Sequence, residues 1–117
     1  MTAALHELSV ATRIAEVVNR VMDEHSARRV GEVRVEIGAL TCIDPDSLDF
    51  CFQAIAKGTR LEDARLKILE VRPRARCRRC NTEYEVKWDD FRCPSCRSTE
   101  FDVLVGGDIS IKDVEVE

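Results

Sequence analysis

The residues of this chain best placed to do chemistry are two Cys-x-x-Cys pairs, Cys77 with Cys80 and Cys93 with Cys96. Each pair can fold into a tight turn that points two sulfurs inward, and the twelve residues between the pairs let the turns face each other. Four thiolates in a tetrahedron favour Zn²⁺, and a shell closed by protein ligands is typical of a structural site. The spacing therefore predicts a compact zinc ribbon.

Two other interpretations of the cysteines are two disulfides or a thiol redox site. Disulfides need an oxidising compartment, and the N-terminus lacks the basic and apolar pattern of a signal peptide. A single redox Cys-x-x-Cys would leave the second pair unexplained. No apolar run approaches the length of a membrane span, so we predict a cytoplasmic protein without a membrane partner.

The charge pattern bears on which partners the chain could bind. The net charge is −4, which disfavours a general affinity for nucleic acid, and none is expected as a partner. Five arginines nevertheless lie in and just before the first cysteine pair: Arg72, Arg74, Arg76, Arg78 and Arg79. They either offset the charge of a zinc tetrathiolate or form a docking patch. A nucleic-acid- or protein-binding zinc ribbon is therefore the alternative function.

The elements that must position these residues are predicted from apolar periodicity. Helical spacing of apolar residues predicts a first helix from about Leu8 to about His25. Alternation predicts a strand over Val33–Gly38. Asp44, as a cap, and Pro45 open a second helix that ends at Gly58. Further strands are predicted near residues 65–68 and 109–116.

The fold class that follows is α+β, with two helices on a small mixed β-sheet and an inserted zinc ribbon held by four cysteines. We predict one domain from residues 1–71 plus 108–117, and a zinc-ribbon domain from residues 72–107. Within the ribbon, Tyr84, Val86 and Trp88 alternate as one strand. The segment from Phe101 to Val105 is predicted to be its partner strand.

A second candidate site is the pair His6 and Glu7, just before the predicted first helix. Taken alone, a single histidine near the terminus is usually a solvated side chain. A glutamate there usually interacts with the helix dipole from the first turn. The residue types alone do not predict a metal site.

A resemblance gives this pair more weight. The residues that carry it occur in order along the chain: His6–Ser9, the strand Val33–Gly38, the helix exit Ala56–Thr59, the two cysteine pairs, and Ile111–Glu117. Together they resemble the HypA/HybF family of [NiFe]-hydrogenase maturation factors. The resemblance implies a nickel metallochaperone, not an enzyme, which binds Ni²⁺ at His6 and Glu7 and Zn²⁺ at Cys77, Cys80, Cys93 and Cys96.

The resemblance also implies partners and a ligand set. The partners are a HypB-type GTPase and the hydrogenase large subunit; some family members serve urease, and a homodimer is compatible with the sequence. Nickel accepts a square-planar nitrogen field, which a terminal amine, two backbone amides and one imidazole can supply. In the family a methionine at the start directly precedes the histidine, and here Leu5 takes that place. We hypothesise that translation starts at residue 5, which intact mass from the native host would test.

Overall fold

The computed structural model describes residues 3–87 and 89–117. The chain forms two compact units. The first comprises the chain up to Glu36, Ile43–Leu69 and Ser110–Glu117, and the second comprises Ile37–Cys42 and Glu70–Ile109. The elements in chain order are α1 (Ala3–Glu24), β1 (Val30–Gly38), a 3₁₀ turn (Ala39–Thr41), α2 (Pro45–Ala56), β2 (Arg65–Val71), β3 (Arg74–Cys77), β4 (Glu83–Glu85), β5 (Phe101–Val105) and β6 (Ile109–Val116).

The first sheet has three strands in the order β2-β1-β6. Strand β6 is antiparallel to β1, because the Gly38 N–H donates to the Asp108 carbonyl at one end (2.8 Å) and the Glu117 N–H donates to the Arg29 carbonyl at the other (2.9 Å). The alternation of β1 buries Val33, Val35 and Ile37. The C-terminal strand predicted over residues 109–116 therefore joins the first sheet, and the predicted class of two helices on a small sheet with an inserted ribbon is confirmed.

The second helix begins where its capping signals predict. Asp44 is the N-cap, and its Oδ2 accepts from the Ser47 N–H at 3.0 Å and from the Ser47 hydroxyl at 2.7 Å. Pro45 takes the first helical position, where no backbone donor is needed. Gly58 follows the helix with a φ of +78°, a conformation that glycine adopts without steric strain. The helix buries Leu48, Phe52 and Ala56.

The first helix begins earlier than predicted. It starts at Ala3 rather than near Leu8, so His6 and Glu7 lie inside it and not before it. The prediction was wrong because it started the helix close to the first clear apolar repeat. The preceding Ala-Ala-Leu run consists of strong helix formers, which extend the helix toward the N-terminus.

The ribbon sheet corrects a predicted strand pairing. Its order is β4-β3-β5, so the segments around Tyr84 and Val103 do not pair with each other. Both pair antiparallel with β3, where Ala75 faces each of them. Strand β3 was missed because its inward residues are a small alanine and a ligand cysteine, between arginines. Strand β4 is also shorter than predicted, and Trp88 lies outside the described residues.

The ribbon has a small core of its own. Ala75, Cys77, Tyr84, Val86 and Cys93 are buried together, with Leu40 and Phe101 packed against them. The short segment Ile37–Cys42, which the predicted division gave to the other domain, belongs to this unit. Its attachment includes a bond from the Leu40 N–H to the Gly106 carbonyl at 3.1 Å. In the described part of the chain, neither helix has the length and hydropathy of a membrane span.

Candidate metal centre

The two cysteine pairs lie in loops that are built alike. The Asn81 N–H donates to the Cys77 carbonyl at 3.0 Å, and the Arg97 N–H donates to the Cys93 carbonyl at 2.8 Å. Asn81 and Arg97 both have left-handed backbone angles, with φ of +64° and +68°. This turn after each pair sends the chain back over its own cysteines. We call these two loops, residues 77–82 and 93–98, the knuckles.

Backbone amides in each knuckle point at the sulfurs. The Arg79 N–H donates to Cys77 Sγ at 3.4 Å, and the Ser95 N–H donates to Cys93 Sγ at 3.4 Å. Hydrogen bonds of this kind favour the charged form of the acceptor. The knuckles are therefore prepared to hold thiolates, which are the metal-binding form of cysteine.

The knuckles bring the four sulfurs into one cluster. All four ligand atoms lie within 4.8 Å of one another. Cys77 Sγ is 3.5 Å from Cys96 Sγ, and Cys80 Sγ is 3.6 Å from Cys93 Sγ. A zinc ion with Zn–S bonds of about 2.3 Å places its sulfurs roughly 3.8 Å apart. The cluster therefore fits a tetrahedral ion, and it includes all four cysteines that the sequence predicted.

The surroundings lower the pKa of two of these thiols. The pKa of Cys77 is lowered, first by the backbone N–H of Cys80 and then by that of Arg79, against the opposing effect of burial. The pKa of Cys80 is lowered to about 6 by the hydroxyl of Thr82 and then by its backbone N–H. Both effects stabilise thiolates before any metal binds.

Cys96 differs from Cys77 and Cys80, because its pKa is raised rather than lowered. The Ser98 backbone N–H lowers the pKa of Cys96, but the neighbouring Cys77 sulfur, burial and the other two sulfurs outweigh it, and the pKa rises to about 11. Neighbouring thiolates resist a further negative charge. A bound divalent cation would remove this resistance, so the donor set fits Zn²⁺ as a resident ion.

Four of the five arginines near the first knuckle lie within 4 Å of carboxylates of the same unit. Arg76 lies 2.9 Å from Glu83 across β3 and β4, and Arg78 lies 2.7 Å from Asp102. Arg72 and Arg79 have longer contacts, to Glu85 at 3.7 Å and to Glu100 at 3.9 Å. These pairs are solvent-exposed and contribute little stability. They do, however, neutralise much of the patch on which the nucleic-acid alternative rests.

At the other candidate site, His6 and Glu7 occupy different environments. The His6 side chain is exposed, whereas Glu7 has no solvent exposure. Neighbouring residues on a helix point about 100° apart, so α1 does not present the two side chains together. Among the described residues, one group of three or more His, Cys, Asp or Glu side chains is close enough to hold a metal ion, and it consists of the four cysteines. Neither His6 nor Glu7 belongs to that group.

Glu7 connects the first helix to the start of the second. Its Oε2 accepts a hydrogen bond from the Asp44 N–H at 2.6 Å. Its Oε1 is buried and has no hydrogen-bond partner in the described residues. Sequence reasoning missed this burial, although a signal existed. Glu7 stands four residues before Ala11, on the same stripe as the buried Ile14 and Val18.

The remaining histidine and cysteines are not members of the cluster. The Nδ1 of His25 lies 3.0 Å from the Val21 carbonyl. Cys51 is half-buried on α2, and Cys42 is exposed.

Comparisons with known proteins identify the family. The model of the HypA family, described as "Hydrogenase/urease nickel incorporation, metallochaperone, hypA", matches residues 5–116. The chain belongs to the HypA family. The resemblance found in the sequence is thereby confirmed.

Individual relatives agree with the HypA assignment. The chain is 37% identical over 113 residues to the hydrogenase maturation factor HypA of Desulfatibacillum aliphaticivorans, covering 96% of this chain and 87% of that protein. It is 38% identical over 112 residues to the HypA of Geotalea daltonii, covering 96% and 99%.

Two solved structures share the HypA fold. The solution structure of the Ni metallochaperone HypA from Helicobacter pylori superposes with a TM-score of 0.71 at 20% identity, covering 94% of this chain and 96% of that one. A second solution structure of a HypA protein gives 0.74 at 20% identity and covers 97% of both chains.

Proposed function

We propose that this HypA-family chain is a nickel metallochaperone that binds Ni²⁺ near its N-terminus and delivers it during [NiFe]-hydrogenase maturation. The observation that carries the proposal is the family match across residues 5–116. Urease is a further acceptor named in the family's description. The role is transport rather than catalysis, and we place it in the cytoplasm.

In this proposal the four cysteines hold a structural Zn²⁺. Cys77, Cys80, Cys93 and Cys96 form a closed set of sulfur donors, without a position reserved for a water or a substrate. Zinc bound there would join the two knuckles and stabilise the module predicted over residues 72–107. The domain of residues 1–71 plus 108–117 would carry the nickel.

His6 and Glu7 are the proposed nickel residues, with different roles. The exposed imidazole of His6 is available as a ligand. Glu7, whose carboxylate contacts Asp44, would position the N-terminal turn rather than ligate through that buried side chain. Ligation through the backbone amides of His6 and Glu7 requires the helix to start later than Ala3, because in a helix that begins at Ala3 the Glu7 N–H is committed to the Ala3 carbonyl. Nickel binding in this mode would unwind the first turn.

Nickel titration of matched variants tests the assignment. We expect His6→Ala to lose the specific nickel site while keeping its zinc, because the side chain is exposed and does not belong to the cysteine cluster. His25→Ala is the control, since it removes the other histidine and should titrate like the parent. Each titration is repeated on chains that begin at residue 1 and at residue 5. If His6→Ala binds nickel like the parent in both forms, the site is wrong.

The proposed partners are a HypB-type GTPase and the hydrogenase large subunit. Transfer is measured by mixing nickel-loaded protein with the purified GTPase and separating the two on a sizing column. We expect nickel to appear with the GTPase for the parent and for His25→Ala, but not for His6→Ala. Equal transfer by His6→Ala would contradict this route.

A further inference from the structure

Two sulfur contacts shorter than 4 Å in the cluster run between the knuckles. They join Cys77 to Cys96 at 3.5 Å and Cys80 to Cys93 at 3.6 Å. Each contact joins a buried cysteine to an exposed one, because Cys77 and Cys93 are buried and Cys80 and Cys96 are exposed. Each exposed cysteine therefore has a buried cysteine of the other knuckle beside it.

We propose that the cluster is also a peroxide-sensitive switch that exchanges its metal for two disulfides between the knuckles, Cys80–Cys93 and Cys77–Cys96. The exposed sulfur of each contact reacts first, and the buried sulfur completes the bond. The proposal builds on the zinc site of the proposed function and is independent of the nickel site.

The chemistry requires only a hydroperoxide as oxidant. The Cys80 thiolate attacks one peroxide oxygen, the O–O bond breaks, and hydroxide leaves a sulfenic acid on Cys80. The Cys93 thiolate then attacks the Cys80 sulfur and expels a second hydroxide as the S–S bond forms. Two thiolates lose two electrons, and one peroxide is reduced to two hydroxides, which become water. The same sequence at Cys96 and Cys77 consumes a second peroxide and leaves no thiolate to hold the zinc.

Whether the disulfides form between the knuckles or within each knuckle decides whether the ribbon stays folded. Disulfides between the knuckles join the same two loops that the metal joins, so β3 and β5 stay aligned. This alignment includes the bond from the Arg78 N–H to the Glu100 carbonyl at 3.0 Å. Disulfides within each Cys-x-x-Cys pair would close each loop separately and leave the knuckles unconnected. The switch therefore releases zinc without opening the ribbon.

Disulfide mapping tests the pairing. The double variant Cys42→Ser/Cys51→Ser leaves only the four cluster cysteines, and its zinc content is measured first. After hydrogen peroxide, a colorimetric chelator should detect the release of all bound zinc, and four thiols per chain should be lost. Trypsin cleaves after Arg76, Arg78, Arg79, Lys87, Arg92 and Arg97. We expect the peptides that contain Cys77 and Cys80 both to be linked to the peptide that contains Cys93 and Cys96, and fragmentation between Cys93 and Cys96 should place Cys80 on Cys93 and Cys77 on Cys96.

Two results would overturn the switch. One is a Cys77–Cys80 link with an internal Cys93–Cys96 loop, and the other is zinc that remains bound at full oxidation. Protection of the Arg78 amide from hydrogen exchange is a second measurement: it should persist in the oxidised, zinc-free protein. Loss of that protection on oxidation also contradicts the proposal. If the protein contains no zinc before oxidation, the zinc assignment of the proposed function is wrong. The nickel assignment is tested independently, by the titration of His6→Ala.

Discussion

Glu7 is a buried carboxylate on an otherwise apolar helix face. It accepts the Asp44 N–H at 2.6 Å, so it links the first turn of α1 to the residue that caps α2. Burying a carboxylate is unfavourable unless hydrogen bonds compensate, and here only one oxygen has a partner in the described residues. The hydrogen bond holds the turn that carries His6 against the start of α2.

Replacing Glu7 therefore should destabilise the first unit. We expect Glu7→Ala to lower the free energy of unfolding by about 1–3 kcal/mol, because the Asp44 N–H loses its acceptor and a cavity remains. Urea denaturation followed by the helical circular dichroism signal measures the change. Glu7→Gln keeps an acceptor oxygen and should lose less.

A matched control for Glu7 exists on the same helix. Glu16 is 58% exposed and pairs only with Arg13 at 3.4 Å among the described residues. Glu16→Ala should change the unfolding free energy by less than about 0.5 kcal/mol, as is usual for an exposed ion pair. If Glu7→Ala proves as stable as Glu16→Ala, the link to Asp44 does not fix α1 to α2.

Asp90 gives a prediction about pH. The side chain of Arg92 contacts both of its oxygens, at 3.0 Å and 3.2 Å, and lowers the pKa of this carboxyl to about 2, aided by the Arg92 backbone N–H. The folded-state pKa is depressed, so the pair stabilises the ribbon above the ordinary pKa of 3.8 and the effect is lost as the pH falls through about 2. Carbon-detected NMR titration should show this midpoint. Arg92→Ala should move it up toward 3.8, and an unchanged midpoint would show that Arg92 is not the cause.

Among the elements, those with local signals were predictable from the sequence. Asp44 and Pro45 mark the start of α2, because a cap and its first turn lie next to each other in the chain. The knuckles follow from the spacing of the cysteines for the same reason. The central ribbon strand β3 was not predictable in this way. Its side-chain pattern becomes meaningful only once β4 and β5 lie on either side of it.

In the turn that closes the second knuckle, Arg97 adopts a left-handed backbone conformation that is strained for a residue with a Cβ. Arg97 has a φ of +68°, where a side chain with a Cβ costs about 1–2 kcal/mol relative to glycine. We expect Arg97→Gly to stabilise the zinc-loaded ribbon by about 0.5 kcal/mol, since the greater freedom of glycine in the unfolded chain offsets part of the gain. Arg97→Ala is the control, because it removes the same charge but keeps the Cβ. Urea midpoints compare the two, and equal midpoints would contradict the strain.

At the scale of the whole molecule, the two units differ in what holds them together. The first unit buries large apolar side chains, among them Met22, Leu48 and Phe52. Among the described residues, the ribbon core contains five that are buried, and two of them, Cys77 and Cys93, belong to the sulfur cluster. A core this small rarely supports a fold without a metal or a covalent link. The bound metal should therefore determine the stability of one unit and not of the other.

Removing the metal under reducing conditions should destabilise the ribbon and leave the first unit folded. We expect a strong chelator to abolish hydrogen-exchange protection of the Arg78 and Val86 amides, whose acceptors are the Glu100 and Pro73 carbonyls in the ribbon. The Ala27 amide, which donates to Met22 in the first unit, should stay protected, because burial there does not depend on the thiolates. Adding Zn²⁺ back should restore the ribbon signals. If all three amides lose protection together, the units unfold as one, and zinc then stabilises the fold that presents His6 as well as the ribbon.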